Sequence, residues 1–253
     1  MVKPAWKRIL LKLSGEVLGR QGAGIDPEAL ETAAHRIKQV VALDIQVGLV
    51  IGAGNLFRGL PASRKSLISR PTGDYMGMLA TVMNALAMRD TLEAIGVEAR
   101  VQTALSIEGV TDPFHLRKAV KHLERGSVVI FGAGTGHPFF TTDTTAALRA
   151  CEIGADAIFK ATKVDGVYTA DPKKDPEARR YERLAFTDAL RHRLQVMDST
   201  AFSMCMDNNI PIVVLDFFDT DALMKTLTGD LTEATVVHNG ETVVAPPRSR
   251  TRS

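Results

Sequence analysis

The chain has 253 residues, a formal net charge of +2, and 45% hydrophobic against 24% charged side chains, an ordinary globular balance with no global pull toward nucleic acid or a membrane surface. Two cysteines, Cys151 and Cys205, lie far apart and outside metal-type spacing, which excludes a disulfide scaffold or zinc module and suits a reducing compartment. The apolar run Ile9-Leu10-Leu11 stops at Lys12, too short for a signal peptide, and no segment approaches membrane-spanning length, so a cytoplasmic protein is expected.

Strand and helix patterns alternate almost throughout, which predicts an α/β fold with a mostly parallel sheet covered by helices on both faces. Residues 7–13 form the first strand and end in the turn Lys12-Leu13-Ser14-Gly15. Asp26-Pro27-Glu28 opens a helix as cap and first turn, with Leu30, Ala33, Ile37, Val40 and Val41 on its apolar face. Ile45–Ile51 is a buried strand broken by Gly52-Ala53-Gly54-Asn55. Asp74 is expected to open a long helix closed by Gly96, its methionine-rich stripe filling the core. A strand over 97–103, a helix from Asp112-Pro113 to Gly126 and a central strand over 127–131 follow. Beyond the turn at Gly132–Gly136 come a helix near 143–153 and a strand at 156–160. The stretch 161–181 is too long for a simple turn and reads as a functional loop. Helices near 187–194, 199–208 and 219–228 and strands at 210–215 and 234–238 complete a single domain over 1–245. Residues 246–253 form a basic tail expected to be disordered.

Three glycine-rich turns therefore follow three strands, at Ser14-Gly15, Gly52–Gly54 and Gly132–Gly136. Open α/β sheets bind ligands at the carboxyl ends of their strands, where glycines let backbone N–H groups approach phosphate oxygens. Each turn alone is equally well a tight strand-to-helix connection; three in register favour phosphate. No GxxxxGK[ST], no complete GxGxxG and no His-Arg-Asp loop occurs, so the design differs from the common nucleotide-binding motifs. Lys12 precedes the first turn and Arg58 lies four residues past Gly54, both suited to phosphate. Asp74 suits ribose hydroxyls or a helix cap; Asp143 suits capping its helix, orienting Lys12 or placing magnesium. Asp165 and Asp171 flank Tyr168 in the long loop. The six histidines show no metal spacing, and His137, inside the third glycine loop, is the one of interest.

The segments Lys12–Glu16, Gly52–Gly59 (GAGNLFRG), Gly73–Thr81 (GDYMGMLAT), Thr135–Asp143 (TGHPFFTTD) and Lys160–Pro172 (KATKVDGVYTADP) closely resemble the bacterial UMP kinases of the amino acid kinase superfamily. The resemblance runs from about residue 7 to about 240, and GDYMGMLAT and TGHPFFTTD are its most particular motifs. It implies an open three-layer α/β/α sandwich, a homohexamer, magnesium-ATP as donor and UMP as acceptor, with GTP as activator and UTP as inhibitor. Carried over by motif, Lys12, Leu13, Ser14, Gly15, Gly54 and Arg58 would serve the ATP phosphates, and Thr162, Tyr168 and Asp171 the adenosine. UMP would meet Ala53, Asp74 and the loop Thr135, Gly136, His137, Pro138, Phe139, Phe140, Thr141 and Thr142. Lys12 would stabilise the transferred group, Arg58 would assist and Asp143 would organise. The chain departs from the family at Ala53, where glycine is common, at His137, where asparagine is frequent, and in a shorter Gly19–Gly24 segment. A carboxylate kinase of the same superfamily and a non-catalytic nucleotide-binding protein on the same fold are the competing readings. The first leaves Asp74 and the uracil-type loop without a purpose, and the second has no need of Lys12, Arg58 and Asp143 together.

Overall fold

In the first strand, β1 (Arg8–Leu13), the side chains of Ile9, Leu10, Leu11 and Leu13 are at most 1% exposed, so both faces of the strand are covered. Successive side chains point to opposite faces; Ile9, Leu11 and Leu13 enter one hydrophobic cluster and Leu10 another. The same odd–even division recurs in β6 (Ala157–Thr162), where Ala157, Phe159 and Ala161 join the first cluster and Ile158 the second. Full burial of each such aliphatic or aromatic side chain stabilises by about 1.5–3 kcal/mol. This computed structural model, which describes residues 3–19, 24–57, 67–172, 174–194 and 196–246, thus has a core on either side of its sheet.

The other strands are β2 (Gln46–Ile51), β3 (Ala99–Thr103), β4 (Asp112–Pro113), β5 (Val128–Gly132), β7 (Tyr181–Ala185), β8 (Ile212–Asp216), β9 (Ala234–His238) and β10 (Val243–Val244). Among the described residues they form one ten-stranded sheet in the order β10-β7-β9-β8-β6-β1-β2-β5-β3-β4. The β8–β9 and β10–β7 pairs run antiparallel and the rest parallel. Helices α1 (Pro27–Val41), α2 (Arg70–Ala94) and α7 (Thr220–Leu227) cover one face. Helices α3 (Leu116–Glu124), α4 (Thr142–Ile153), α5 (Phe186–Arg191) and α6 (Ser199–Asp207) cover the other. The result is the three-layer α/β/α sandwich expected above.

Local signals explain many boundaries. Asp26 caps α1 by accepting from the Glu28 and Ala29 N–H groups at 3.0 and 3.3 Å, with Pro27 in the first turn. Helix α4 stops at Gly154, which turns left-handed at φ 63°. Several expectations need correction. The long helix α2 starts four residues before Asp74: Ser69 is its cap and Arg70-Pro71 fill its first turn, so Asp74 is an interior residue. Asp112-Pro113 opens no helix but pairs with β3 at the sheet edge, where a proline sacrifices no ladder bond. Helix α3 begins only at Leu116. The methionine stripe of α2 is half core: Met78 and Met88 are buried, whereas Leu79 and Met83 are 49% and 56% exposed. Thr141, not Asp143, caps α4, accepting from Asp143 and Thr144 N–H groups. The 161–181 stretch folds back on itself through a Tyr168–Arg180 bridge and ends in β7, an unexpected strand, as is β10. Arg58 and residues 247–253 of the basic tail lie outside the described residues.

Candidate active site

The odd–even alternation decides where the lysines go. Lys12 shares the face of Leu10, and Lys160 shares that of Ile158, so both point to the side covered by α4. The parallel β1–β6 register sets Lys12 directly beside Lys160. Asp143, in the first turn of α4, closes the group: its Oδ1 lies 2.6 Å from Lys12 Nζ and its Oδ2 3.4 Å from Lys160 Nζ. All three side chains are at most 18% exposed. Burial alone would raise the Asp143 pKa, but the ammonium groups of Lys12 and Lys160 more than reverse it and hold the carboxyl below its ordinary value. Burial, and then the neighbouring Lys12 charge, lower the Lys160 pKa, against the pull of Asp143. The Lys160 ammonium also donates to Val196 O. Two ammonium groups thus face one directly contacting carboxylate at the carboxyl end of the sheet, with the Asp198 charge acting on Lys160 as well.

The glycine turns surround this centre. Ser14 caps a short 3-10 turn (Gly15–Val17), its Oγ accepting from Glu16 N–H at 3.3 Å. The Gly52 N–H donates to Leu13 O at 2.9 Å, so the first two turns pack against each other. Gly15 is required there: an added Cβ would lie 2.5 Å from Gly54 N, 2.6 Å from Asn55 Oδ1 and 2.6 Å from Gly52 O. The third turn carries Ala133 and Gly134 at φ 61° and 59°, a left-handed bend that exposes its backbone toward α2. The N-terminus of the 12-residue α4 adds its dipole, with the Asp143 and Thr144 N–H groups already taken by Thr141 Oγ1.

Beside the centre is a cleft lined by Ala53, by Asp74, Gly77, Met78 and Thr81 of α2, and by Gly134, Thr135, His137, Phe140, Thr141 and Thr142. Seven of the ten residues expected to meet the acceptor therefore line one cavity; Gly136, Pro138 and Phe139 belong to the same loop but are not part of that lining. Asp74 accepts a bifurcated bond from Arg70 Nε, at 2.9 Å to Oδ1 and 2.7 Å to Oδ2, and a further bond from the Phe139 N–H at 2.8 Å. Phe139, at φ 73°, sits under the Arg70 guanidinium, 5.5 Å from ring centroid to charge.

The donor-side expectations are spread more widely. Lys12, Leu13, Ser14, Gly15 and Gly54 converge at the ends of β1 and β2, whereas Arg58 lies outside the described residues. Thr162 ends β6, its Oγ1 donating to Leu215 O at 3.1 Å. The Tyr168 hydroxyl donates to Asp165 Oδ1 at 2.8 Å, and Asp171 lies exposed further along the same hairpin. Lys160 was not among the expected site residues, although its even-numbered place in a second strand was a usable signal. Nor was Asp198, which caps α6 and accepts from Thr141 and Thr144 hydroxyls, tying α6 to the start of α4.

The Amino acid kinase family model matches residues 7–216. A uridylate kinase of Legionella pneumophila (strain Lens) is 55% identical over 229 residues, covering 90% of this chain and 92% of that protein. That of strain Paris is 54% identical with the same coverage. The solved UMP kinase of Bacillus anthracis superposes with a TM-score of 0.90 at 36% identity, covering 95% of this chain and 99% of that one. The UMP kinase of Ureaplasma parvum gives 0.85 at 34% identity, covering 94% and 100%. With most of its length matched by the model and by these relatives, the chain belongs to the amino acid kinase family, in its uridylate kinase branch.

Proposed function

We propose that this chain transfers the γ-phosphoryl group of ATP to UMP, releasing ADP and UDP. The Lys12–Asp143–Lys160 group carries the proposal, because it sits where the glycine turns meet and beside the cleft that holds Asp74 and the 135–142 loop. Phosphoryl transfer needs little covalent help from a protein; it needs alignment and charge placed where the equatorial oxygens of the moving group gather it. An oxygen of the UMP phosphate attacks the γ-phosphorus in line, and the bond to the β–γ bridging oxygen breaks toward ADP. Lys12 and Lys160 stabilise the charge that spreads over the moving group, and Asp143 holds both ammoniums in place. The Ser14-Gly15 and Gly52–Gly54 turns serve the donor phosphates, with Arg58 assisting, and Thr162, Tyr168 and Asp171 the adenosine. Asp74 accepts the ribose hydroxyls once Arg70 yields part of its contact. Ala53, Thr135, Gly136, His137, Pro138, Phe139, Phe140, Thr141 and Thr142 enclose the phosphate and base.

Magnesium belongs to the same proposal and enters on ATP. Both Asp143 oxygens face lysines, which suits holding ammoniums rather than a metal, and among the described residues no cluster of three or more His, Cys, Asp or Glu side chains could hold an ion. Magnesium would supply charge neutralisation for the donor phosphates held by the Ser14-Gly15 and Gly52–Gly54 turns. A homohexamer, activation by GTP and inhibition by UTP are further parts of the proposal. Tyr75, Met76, Leu79 and Met83 form an exposed apolar strip along α2, suited to a neighbouring subunit. No helix among the described residues is long and apolar enough to cross a membrane, which suits the cytoplasm.

The test is ADP release with magnesium-ATP and, in turn, UMP, CMP and aspartate. Turnover with UMP is expected; turnover with aspartate alone, or ATP binding without turnover, would return the carboxylate-kinase or storage readings. GTP and UTP added to the UMP reaction, and light scattering, test regulation and assembly.

A further inference from the structure

Helix α2 lines the acceptor cleft from Gly73 to Thr81, and through the buried side chains of Thr81 and, one turn further on, Asn84 it grips two glycine turns. The Thr81 Oγ1, on a side chain 4% exposed, accepts from the Ala133 N–H at 2.9 Å and donates to Met78 O at 2.6 Å. Asn84, fully buried, donates through Nδ2 to Gly52 O at 2.8 Å and to Asn55 Oδ1 at 2.8 Å. Asn55, also fully buried, returns a bond from Nδ2 to Asn84 Oδ1 at 3.1 Å and another to Gly24 O at 3.1 Å. Thr81 and Asn84 are three positions apart, so they stand on one face of the helix. One holds the turn after β5; the other holds the turn after β2.

The geometry points to Thr81 and Asn84 as positioning residues for the transfer step: one rigid helix, through these two side chains, sets the spacing between the donor-phosphate turn at Gly52–Gly54 and the acceptor turn at Ala133–Gly136. The inference rests on the UMP kinase reading. Neither side chain has a polar group left over for a substrate, because the Thr81 hydroxyl and both Asn84 Nδ2 bonds are used by the protein. Ala133 adds a second reason. A left-handed alanine at φ 61° persists only where its surroundings over-determine it, and the Thr81 bond is one such constraint. In-line transfer tolerates little slack, since a displacement of about 1 Å between reacting groups costs about 10²-fold in rate.

The experiment compares Thr81→Val and Asn84→Leu, which keep volume but delete the hydrogen bonds, with Thr81→Ser, which restores the hydroxyl. For each, kcat is measured well below the melting temperature, along with equilibrium binding of UMP and of magnesium-ATP. The inference expects kcat to fall about 10- to 100-fold in both apolar variants while each dissociation constant stays within about threefold, with most of the rate recovered in Thr81→Ser. A purely structural role would lower the melting temperature and leave kcat of the folded protein near the parent value, and that outcome overturns the inference. If an apolar variant does not fold, Asn84→Gln, which keeps the amide but moves it by one methylene, replaces it: a lowered kcat with unchanged binding supports the role, and parental kcat overturns it. An inactive parent protein would instead overturn the kinase reading itself, so the two failures are distinct.

Discussion

Replacing Asp143 by asparagine keeps the size and shape of the side chain and removes one charge from between two cations. At 2.6 and 3.4 Å and an effective dielectric of about 20, the gross attractions to Lys12 and Lys160 come to about 6 and about 5 kcal/mol. Much of that offsets the cost of burying three charges. The net penalty for removing one partner of a buried ion pair is about 3–5 kcal/mol. The protein can relieve it by releasing a proton, and Lys160 is the readier group because its pKa is already lowered by burial and by Lys12. A neutral Lys160 and an unanchored Lys12 then stabilise the moving phosphoryl group less well. If about 3–4 kcal/mol of this appears in the transition state, kcat falls about 10²- to 10³-fold. Thr141 rather than Asp143 caps α4, so the helix start survives and nucleotide binding persists. Initial rates of ADP release from pH 6 to 10, with UMP binding measured separately, make the test. Because Asp143 supports the charged form of Lys160, the variant's rate should also decline at lower pH than the parent's. A kcat within tenfold of the parent at neutral pH would refute the charge-holding role of Asp143.

Gly15→Ala places a methyl within 2.6 Å of backbone and amide atoms of the second turn, so the turns must part. Strain of about 1–3 kcal/mol and a rise of at least tenfold in KM for ATP are expected by calorimetry and initial rates. In the parent enzyme, activity should decline with rising pH below the ordinary lysine value of 10.5, because the Lys160 charge is lost early. The stability effect has the opposite sign: a lysine whose folded pKa is lowered destabilises while charged, so this group's penalty is relieved as pH rises through the folded pKa toward 10.5. Lys160→Arg should move the decline to higher pH, and an unchanged profile would exclude Lys160 as its source. Asp198→Ala removes the α6 cap and the acceptor for two threonine hydroxyls, a loss of about 2–4 kcal/mol that lowers Tm by about 5–15 °C in a chain of this size. Since Thr141 lines the acceptor cleft, KM for UMP should rise as well.

Short-range chemistry made much of this protein legible in its sequence. The Asp26-Pro27-Glu28 start, the Gly154 stop and the unbroken apolar run of β5 appear where the chain alone places them, because capping and strand burial depend on neighbours a few residues away. The three glycine turns at strand ends and the place of Lys12 near the end of β1 were legible for the same reason. Expectations failed where two local signals competed or where burial had to be known. Ser69-Arg70-Pro71 outbid Asp74 as the start of α2, and Asp112-Pro113 carried a helix-start signal but lay at a sheet edge. Helical periodicity places Met78 and Met83 on a helix without saying that one faces the core and the other solvent.

What only the tertiary structure decided is which distant residues act together. Lys12, Asp143 and Lys160 meet because β1 and β6 run side by side in register while α4 lies across the even-numbered face of both. Asp198 reaches α4 from a helix 54 positions further along the chain, and Asn84 reaches Gly52 across 32. Sequence spacing carries the period of each element, which is a property of the backbone, and so it assigns a side chain to a face. The partner it finds there depends on strand order and helix placement, which follow from burying the whole set of apolar faces at once.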